Sequence, residues 1–436
     1  MKTPSVHIEY PGWVDPEDVY TALCAESENS FWLDAGRTAA DGRSWVGVGH
    51  SGRTHDTAPD VPAVGGAGAP GRWGPAPGGW VGWLDYDAAA ARAGAPAWPP
   101  TAGARGMRVR WCIGFDHARR SVVVEAARDE AERLIRSLGA VRGAPRPETV
   151  GRRAATARHD PEGYADLIAA CRRAICDGDA YQLCLTTRFE VTDPPDAVTV
   201  FRRLRAATDS HHGGLIRAGD LTLASASPER FLEVRGATVA THPIKGTRPR
   251  ATDALHDRAL AEALRESGKE RAENVMIVDL MRNDLSRVCE PGSVRVPSLL
   301  EVESYPAVHQ LVSTVVGRLR PEVTTRDLLG ATFPAGSMTG APKLAAMTIL
   351  QRLENAPRGV FAGCFGWIGE HGGMDLAMVI RSVLIGDGRA VVGAGGGITW
   401  GSRAAAEVAE VAVKARAPLA AMGAELPPAW RDAAGW

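Results

Sequence analysis

The 436-residue sequence has no excess of charge of either sign, because 50 basic side chains face 51 acidic ones. A basic field for nucleic acid or an anionic membrane is therefore not predicted. No apolar run reaches the roughly 18 residues that cross a membrane, and the segment MKTPSVHIEYPGW lacks a hydrophobic signal core. The seven cysteines are odd in number and form no C-x-x-C pair, which favours reduced thiols in a cytoplasmic protein.

Lysine is scarce, with five residues against 45 arginines. Lysine can lose its proton and act as a nucleophile or base, whereas arginine remains charged. A lysine that persists in this composition either marks a position where a guanidinium would not serve or is what codon bias left behind. The five are Lys2, Lys245, Lys269, Lys343 and Lys414.

The length suits two regions and a short extension. Residues 1–150 form a loose N-terminal region with a Gly/Pro-rich loop at 58–79, short strand-like islands and no catalytic constellation. Residues 151–420 are denser and form the candidate catalytic region, and residues 421–436 are read as a C-terminal tail. Strands occur in groups with helices between the groups, which predicts an α+β fold with largely antiparallel sheets.

Several elements of the second region have clear boundaries. Asp160-Pro161 predicts the start of a helix that ends at Gly178, and a strand is predicted from Tyr181 to Phe189. A long helix is predicted around 270–285. Late strands are predicted at 361–368, 376–385 and 390–394.

Two E-x-x-E pairs, Glu270/Glu273 and Glu407/Glu410, lie on predicted helices, so each pair shares one helix face. Four carboxylates brought together suit Mg²⁺, which prefers oxygen ligands. Structural alternatives stay open, because Ser267 and Glu270 match a capping box and Glu410 and Lys414 form a favourable i, i+4 ion pair.

Other segments have weaker signals. Lys245, in HPIKGTR, is predicted at a loop rim where it could attack a bound anion, or it could be an ordinary strand-end lysine. Gly395, Gly396 and Gly397 are predicted to form a turn between a strand and a helix, where backbone amides approach an anion or merely make the turn tight. The segment GSMTGAPK at 336–343 lacks the ending of a phosphate-binding loop. Cys364 is predicted to be a buried strand thiol.

Taken in order, six segments of the second region resemble the chorismate-utilising enzymes of the anthranilate synthase component I family, and within it most the aminodeoxychorismate branch. The segments are AYQLCLTTRF (180–189), SASPERFLEV (225–234), PIKGTRPR (243–250), KERAENVMIVDLMRNDLSRV (269–288), FPAGSMTGAPK (333–343) and AGGGITWGSRAAAEVAEVAVKA (394–415). The first region agrees more weakly, through FWLDAG, GGWVGW and FDH.

The resemblance implies two large antiparallel sheets in a sandwich, helices outside and a chorismate site in the cleft. It implies Mg²⁺ as cofactor, with Glu273 and Glu410 as ligands and Glu270 and Glu407 reaching the ion through water. It assigns the remaining roles as follows: Lys245 as nucleophile, Glu229 as general acid, Arg381 on the enolpyruvyl carboxylate, Gly246 and Thr247 along the ring, and Lys414 with Gly395, Gly396 and Gly397 near the bound carboxylates.

Two positions separate the branches of the family. Isochorismate and salicylate synthases, which use water as nucleophile, carry a lysine base where this chain has Gln182. Anthranilate synthases typically have the segment PIAGT where this chain has PIKGT. The resemblance therefore implies amination of chorismate at C4 to 4-amino-4-deoxychorismate, through attack of Lys245 on C2. Ammonia is expected from a separate glutamine amidotransferase subunit, because no glutaminase segment is recognised.

Alternatives and departures remain. The chain could instead be an anthranilate or 2-amino-2-deoxyisochorismate synthase component I, or a catalytically silent chorismate-binding subunit. Gln310 stands where many relatives have His, and Phe361 where many have Tyr, which affects contacts around the site. The first region departs from relatives that bind tryptophan there, so no strong tryptophan feedback is expected.

Overall fold

The computed structural model describes residues 5–50, 58–63, 74–96, 98, 103–144, 149–208, 210–305 and 308–435. These residues have the predicted α+β fold. The strands are β1 (Ser5–Tyr10), β2 (Asn29–Asp34), β3 (Arg43–His50), β4 (Trp80–Leu84), β5 (Ala104–Asp116), β6 (Ser121–Ala127), β7 (Arg153–Ala157), β8 (Gln182–Thr192), β9 (His212–Ala218), β10 (Leu221–Ser227), β11 (Arg230–Arg235), β12 (Thr238–Thr241), β13 (Ile244–Pro249), β14 (Arg295–Ser304), β15 (Val308–Arg318), β16 (Gly340–Ala341), β17 (Cys364–Ile368), β18 (Met374–Met378), β19 (Ser382–Gly386), β20 (Arg389–Ile398) and β21 (Ala424–Glu425). The helices are α1 (Pro16–Leu23), α2 (Tyr86–Arg92), α3 (Arg128–Leu138), α4 (Pro161–Cys176), α5 (Ala197–Ala207), α6 (Ala254–Glu266), α7 (Gly268–Ser286), α8 (Thr325–Thr332), α9 (Gly336–Thr339), α10 (Lys343–Glu354), α11 (Ala404–Ala421) and α12 (Pro428–Ala433).

Two antiparallel sheets share the long strand β5, which pairs with β4 along its first part and with β3 and β6 further on. From β3 the first sheet continues through β2, β9, β10, β19 and β20 to β8. From β4 the second sheet continues through β17, β18, β11 and β12 to β15, which carries β13 and β14. A short parallel pair joins β21 to β7.

The space between the sheets is filled by apolar side chains from both of them. Phe31 and Ile216 of the first sheet are fully buried in the same cluster as Val81, Trp83 and Phe365 of the second. Helices cover the outer faces, where α4, α5, α10 and α11 share a core with the first sheet and α7 and α8 with the second. Removal of this apolar surface from water is the main stabilising term of such a sandwich.

The boundary predicted at residue 150 does not separate two hydrophobic cores, because strands from both regions pair with each other. β2 of the first region pairs with β9 of the second, and β4 pairs with β17. The predicted tail also packs on the fold, because Trp430 is only 1% exposed and its indole N–H donates to the His159 carbonyl at 2.9 Å. Residues 64–73 of the predicted loop lie outside the described residues.

Local signals gave most elements of the second region correctly. The Asp160 carboxylate caps α4 by accepting from the Gly163 N–H at 2.7 Å. The continuous strand predicted over 376–385 is wrong, since β18 ends at Met378 and β19 starts at Ser382. Between them Arg381 has φ +51°, a left-handed conformation outside the β region that regular strands occupy.

This break is where the chain passes between the sheets. β18 pairs in the second sheet and β19 in the first, while β10 and β11 cross in the opposite direction through Pro228 and Glu229. The two crossings are hydrogen-bonded, since the Met378 N–H donates to Glu229 and the Ala226 N–H donates to Arg381. Two predicted site residues, Glu229 and Arg381, therefore lie at adjacent corners of the sandwich.

The turn predicted at Gly395–Gly397 is also wrong. All three glycines lie inside β20, where they oppose residues 184–186 of β8 in register. A side chain at Gly395 would come 2.3 Å from the Leu185 carbonyl oxygen. Close approach of backbone, and not a turn, explains this run of glycine.

In the part of the chain that the structure describes, no helix has both the length and the apolar character needed to cross a membrane. All seven cysteines are free thiols, and Cys364 is buried in β17 as predicted.

Candidate active site

The two predicted carboxylate pairs meet where α7 faces α11. Glu270 and Glu273 lie on the first helix and Glu407 and Glu410 on the second. Ser267 caps α7 by accepting from the Glu270 N–H at 3.4 Å, so half of the capping-box alternative is realised. Glu407 is 3% exposed and accepts from the Ser402 hydroxyl at 2.7 Å, which orients its carboxylate.

Three lysines reach these glutamates. The Lys269 ammonium lies 3.5 Å from Glu407 Oε1 and 3.8 Å from Glu273 Oε1, and so bridges α7 and α11. Lys245 Nζ lies 3.8 Å from Glu273 Oε2. Lys414 Nζ lies 2.7 Å from Glu410 Oε1, the predicted i, i+4 pair, and donates to the Gly395 carbonyl at 2.7 Å. Of the described lysines, only Lys343 pairs elsewhere, with Asp284 at 2.6 Å.

The donor chemistry of the cluster fits a hard divalent cation. Glu273 is 9% exposed, and its Oε1 accepts no hydrogen bond. Burial raises the pKa of Glu273, while Lys245 and Lys269 oppose the rise and Glu270 and Glu407 add to it. Among the described residues no three His, Cys, Asp or Glu side chains are already arranged to hold a metal. The magnesium ligand set therefore stays a prediction, supported by oxygen donors and by one unsatisfied buried carboxylate oxygen.

Lys245 lies on β13 where that strand bulges against β15. Ile244 opposes Val312 and Thr247 opposes Gln310, so β13 has one residue more than its partner. Gly246 supports the bulge with φ +80°. A side chain at Gly397 would lie 3.6 Å from Lys245 Nζ and 2.8 Å from Gln182 Nε2, which places both side chains at the same point of β20.

Gln182 is fully buried, and neither its Nε2 nor its Oε1 has a hydrogen-bond partner. An amide buried in this way costs free energy unless a ligand or water satisfies it. Its position beside Lys245 makes it a candidate contact for a bound substrate or nucleophile.

Glu229 accepts from the Ser337 hydroxyl at 2.9 Å. Burial raises the pKa of Glu229 above its usual value, and the positive charges of Lys245 and Lys414 and the Ser337 bond offset part of the rise. A carboxyl group that holds its proton in a cleft is suited to general acid catalysis.

The remaining predicted residues differ in exposure and in their contacts. Burial lowers the pKa of Arg381. The negative charge of Glu410 offsets part of this shift, so the two side chains interact electrostatically. Thr247 is exposed. Gln310 is 6% exposed opposite Thr247. Phe361 packs against β20, since a side chain at Gly393 would lie 2.1 Å from its ring.

Behind the cleft, a buried ion pair joins α10 to β8. Arg358 binds Glu354 at 2.7 Å and donates to the Cys184 carbonyl, while Glu354 Oε1 accepts from both the N–H and the hydroxyl of Thr186. The Arg358 guanidinium also stacks over the ring of Tyr86 at 4.3 Å. This network fixes the stretch of β8 that opposes Gly395–Gly397.

Sequence reasoning missed several of these partners. Lys269 is one of the few lysines and Ser337 lies in GSMTGAPK, but the sequence predicts a site role for neither. No sequence pattern singles out Ser402 or Arg358. A separate cavity of about 1150 Å³ was also missed. It is lined by residues of both regions, among them Asp34, Trp45, His211, Trp367 and Asp375, and by none of the predicted site residues.

Comparison with known proteins identifies the class. The family model for chorismate binding enzyme matches residues 13–420, so the chain belongs to this family. It is 42% identical over 302 residues to aminodeoxychorismate synthase component 1 of Klebsiella aerogenes, which covers 69% of this chain and 66% of that protein. It is 44% identical over 266 residues to an aminodeoxychorismate synthase of Streptomyces pristinaespiralis, 61% of this chain but only 37% of that protein.

A different relative aligns over more of the chain. Anthranilate synthase component 1 of Streptomyces coelicolor is 36% identical over 453 residues, which covers 94% of this chain and 86% of that protein. Among solved structures, anthranilate synthase component I from Streptococcus pneumoniae has TM-score 0.71 at 26% identity, with 95% of this chain and 93% of that chain covered. The isochorismate synthase MenF from Escherichia coli, with TM-score 0.72 at 17% identity and coverage of 96% and 94%, supports the fold alone.

Proposed function

We propose that this chain catalyses the Mg²⁺-dependent amination of chorismate at C4 with ammonia, giving 4-amino-4-deoxychorismate through a covalent adduct on Lys245. The observation that carries the proposal is the position of Lys245. The β13 bulge directs its amine to the part of β20 where Gln182 and Glu273 converge. Anthranilate synthases typically carry Ala at this position, whereas the proposed reaction at C4 needs an amine.

The first step is an allylic displacement. The Lys245 amine forms a bond to C2, both ring double bonds shift by one position, and the C4–O bond breaks. The C4 hydroxyl leaves as water after taking the proton of Glu229, whose raised pKa favours the protonated form. Ser337 holds this carboxyl group in place by its hydroxyl contact.

The second step reverses the first with another nucleophile. Ammonia forms a bond to C4, both double bonds shift back, and the C2–N bond to Lys245 breaks. The lysine nitrogen of the adduct returns one proton to the Glu229 carboxylate, and the departing amine takes up the proton released by the incoming ammonia, so both side chains regain their starting protonation. Gln182 can neither deprotonate water nor become charged, and its unsatisfied amide is available to orient ammonia without activating water.

Glu273 and Glu410 would hold Mg²⁺ directly, with Glu270 and Glu407 behind them. When bound, the ion would supply positive charge for the ring carboxylate of chorismate. Arg381 is suited to the enolpyruvyl carboxylate, because a planar guanidinium offers two parallel donors. Lys414 adds a further positive charge at the level of Gly395.

Product analysis tests the proposal. The purified chain is incubated with chorismate, Mg²⁺ and ammonium, and the mixture is separated by liquid chromatography with mass detection, with and without an aminodeoxychorismate lyase. A product that the lyase converts to 4-aminobenzoate would support C4 amination. Isochorismate would contradict the role given to Gln182.

A second candidate function is synthesis of anthranilate, which the long alignment with an anthranilate synthase component 1 favours. The same incubation distinguishes it, because anthranilate is fluorescent and does not need the lyase. Binding of chorismate with no product under any condition would instead indicate a silent subunit.

The nitrogen source belongs to the same proposal. We expect ammonia to come from a separate glutamine amidotransferase subunit, since two of the similar proteins are named as a component 1. With the chain alone, ammonium should support turnover and glutamine should not.

A further inference from the structure

Lys269 occupies an unusual place for a lysine. It is the second residue of α7, where the helix dipole disfavours a positive charge. Its ammonium is nevertheless held between the two helices, 3.5 Å from Glu407 and 3.8 Å from Glu273. The side chain is half exposed, so it can leave this position without disturbing the core.

The contacts of Lys269 include a carboxylate oxygen that a divalent cation would use. Glu273 Oε1 is buried, accepts no hydrogen bond, and lies 3.8 Å from the Lys269 ammonium, while Lys245 lies 3.8 Å from the other oxygen of the carboxylate. An ammonium at this distance compensates charge without completing a hydrogen bond. Glu407 shares the same ammonium from the opposite helix, where Ser402 already orients it.

We infer that Lys269 is an internal counter-ion that occupies the Mg²⁺ position of the metal-free enzyme. It stabilises the facing carboxylates of α7 and α11, and it must swing into solvent when the ion binds. Lys269 therefore weakens Mg²⁺ binding and keeps the cleft assembled without it. The inference rests on the proposed metal site, because it needs the ion to bind these glutamates.

The test measures metal binding and not turnover. Mg²⁺ is titrated calorimetrically into metal-free protein without chorismate, for the wild type, Lys269→Met, Lys269→Arg and Arg271→Met. Arg271 is exposed on the same helix and bonds to the Arg265 carbonyl, so its removal controls for loss of one positive charge nearby. Lys269→Met should bind Mg²⁺ about tenfold more tightly than the wild type, because the variant lacks the positive charge that lies within 4 Å of Glu273 and Glu407. Lys269→Arg and Arg271→Met should stay close to the wild type.

A second readout uses thermal unfolding in a chelator. Lys269→Met should unfold at a lower temperature than Arg271→Met, because the carboxylates of α7 and α11 then repel one another. Added Mg²⁺ should raise the unfolding temperature of Lys269→Met by more than it raises that of the wild type. Equal Mg²⁺ affinity in the wild type and Lys269→Met, or the same change in Arg271→Met, would overturn the inference.

Failure of the metal site itself would look different. Glu410→Gln should weaken Mg²⁺ binding to the wild-type chain. If the wild type binds no Mg²⁺, or Glu410→Gln binds it equally well, the metal proposal fails and the role of Lys269 fails with it. Binding that Glu410→Gln weakens but Lys269→Met leaves unchanged would overturn only the role of Lys269.

Discussion

Lys245 is the side chain on which the proposed reaction depends most directly. Lys245→Ala should reduce C4 amination by on the order of 10³-fold or more, since it removes the nucleophile of the covalent step. Chorismate binding should persist, because Arg381, Lys414 and the glutamates remain. The measurements are product formation by chromatography and chorismate affinity by calorimetry. Unchanged turnover would mean that ammonia attacks chorismate directly.

Glu229 should set the pH above which activity falls. Its raised pKa extends protonation to higher pH, so turnover that needs this proton falls as pH rises through that pKa. Glu229→Gln should lose about 10²–10⁴-fold in kcat and lose this limb of the pH profile. Ser337→Ala removes a donor that stabilises the carboxylate, so the limb should move to higher pH while the plateau changes little.

The matched pair of variants makes this prediction specific. A limb that persists in Glu229→Gln and does not move in Ser337→Ala belongs to another group. Measurement of kcat and KM from mildly acidic to alkaline pH separates loss of the acid from loss of substrate binding.

At the residue scale, sequence reasoning reached the side chains whose type limits their chemistry. The glutamate pairs and Lys245 stand out by residue type and local pattern, whereas Gln182 is singled out only by the family resemblance. Ser337 and Lys269 have no predicted role, because their partners Glu229 and Glu407 lie far away in the chain. Ser402 lies only five residues before its partner Glu407, but its residue type did not single it out. Serine in particular serves so many local purposes that its type predicts little.

At the element scale, the bulge in β13 should be as important as the lysine it presents. Gly246→Ala would force φ +80° on a residue with a Cβ, which would lie 2.7 Å from Leu264 and 3.0 Å from Glu270. The free energy of unfolding should fall by roughly 1–3 kcal/mol, and C4 amination should fall further as Lys245 is displaced. Urea denaturation and product formation measure the two effects.

Gly236→Ala is the matched control for Gly246→Ala. Gly236 has φ +59°, and a Cβ added there would have no neighbour within 4 Å, so the variant shares the backbone strain without the steric contact. Its stability should fall by roughly 1 kcal/mol and its amination activity should stay near that of the wild type. Equal loss of activity in both variants would remove the special role of the bulge.

Elements with local signals were predicted correctly from sequence. α4 begins at its predicted cap, and α7 covers the long helix predicted around 270–285. The break at Arg381 and the position of Gly395–Gly397 inside β20 were missed, because both are decided by pairing with distant strands. Apolar periodicity cannot reveal that a strand changes sheets at its middle.

At the scale of the whole molecule, the sheets interleave the two regions of the chain. Composition suggested a boundary at 150, but β2 pairs with β9 and β4 with β17. Composition records local sequence, whereas register between strands far apart in sequence is set by packing of the complete core. The family resemblance implied the sandwich; residue patterns alone predicted only antiparallel α+β.

This interleaving leads to an expectation about tryptophan. Asp34 of the FWLDAG segment borders the cavity of about 1150 Å³ and is 4% exposed, but its carboxylate already binds Arg205 of α5 at 2.8 Å and the Gly36 N–H at 3.1 Å. A tryptophan molecule whose amino group bound the Asp34 carboxylate would have to displace the buried Arg205 guanidinium. Breaking such a buried ion pair costs about 3–5 kcal/mol. Tryptophan should therefore not inhibit ammonium-dependent turnover, nor raise the unfolding temperature. Saturable inhibition together with a raised unfolding temperature would show that Asp34 and Arg205 separate to admit the amino acid.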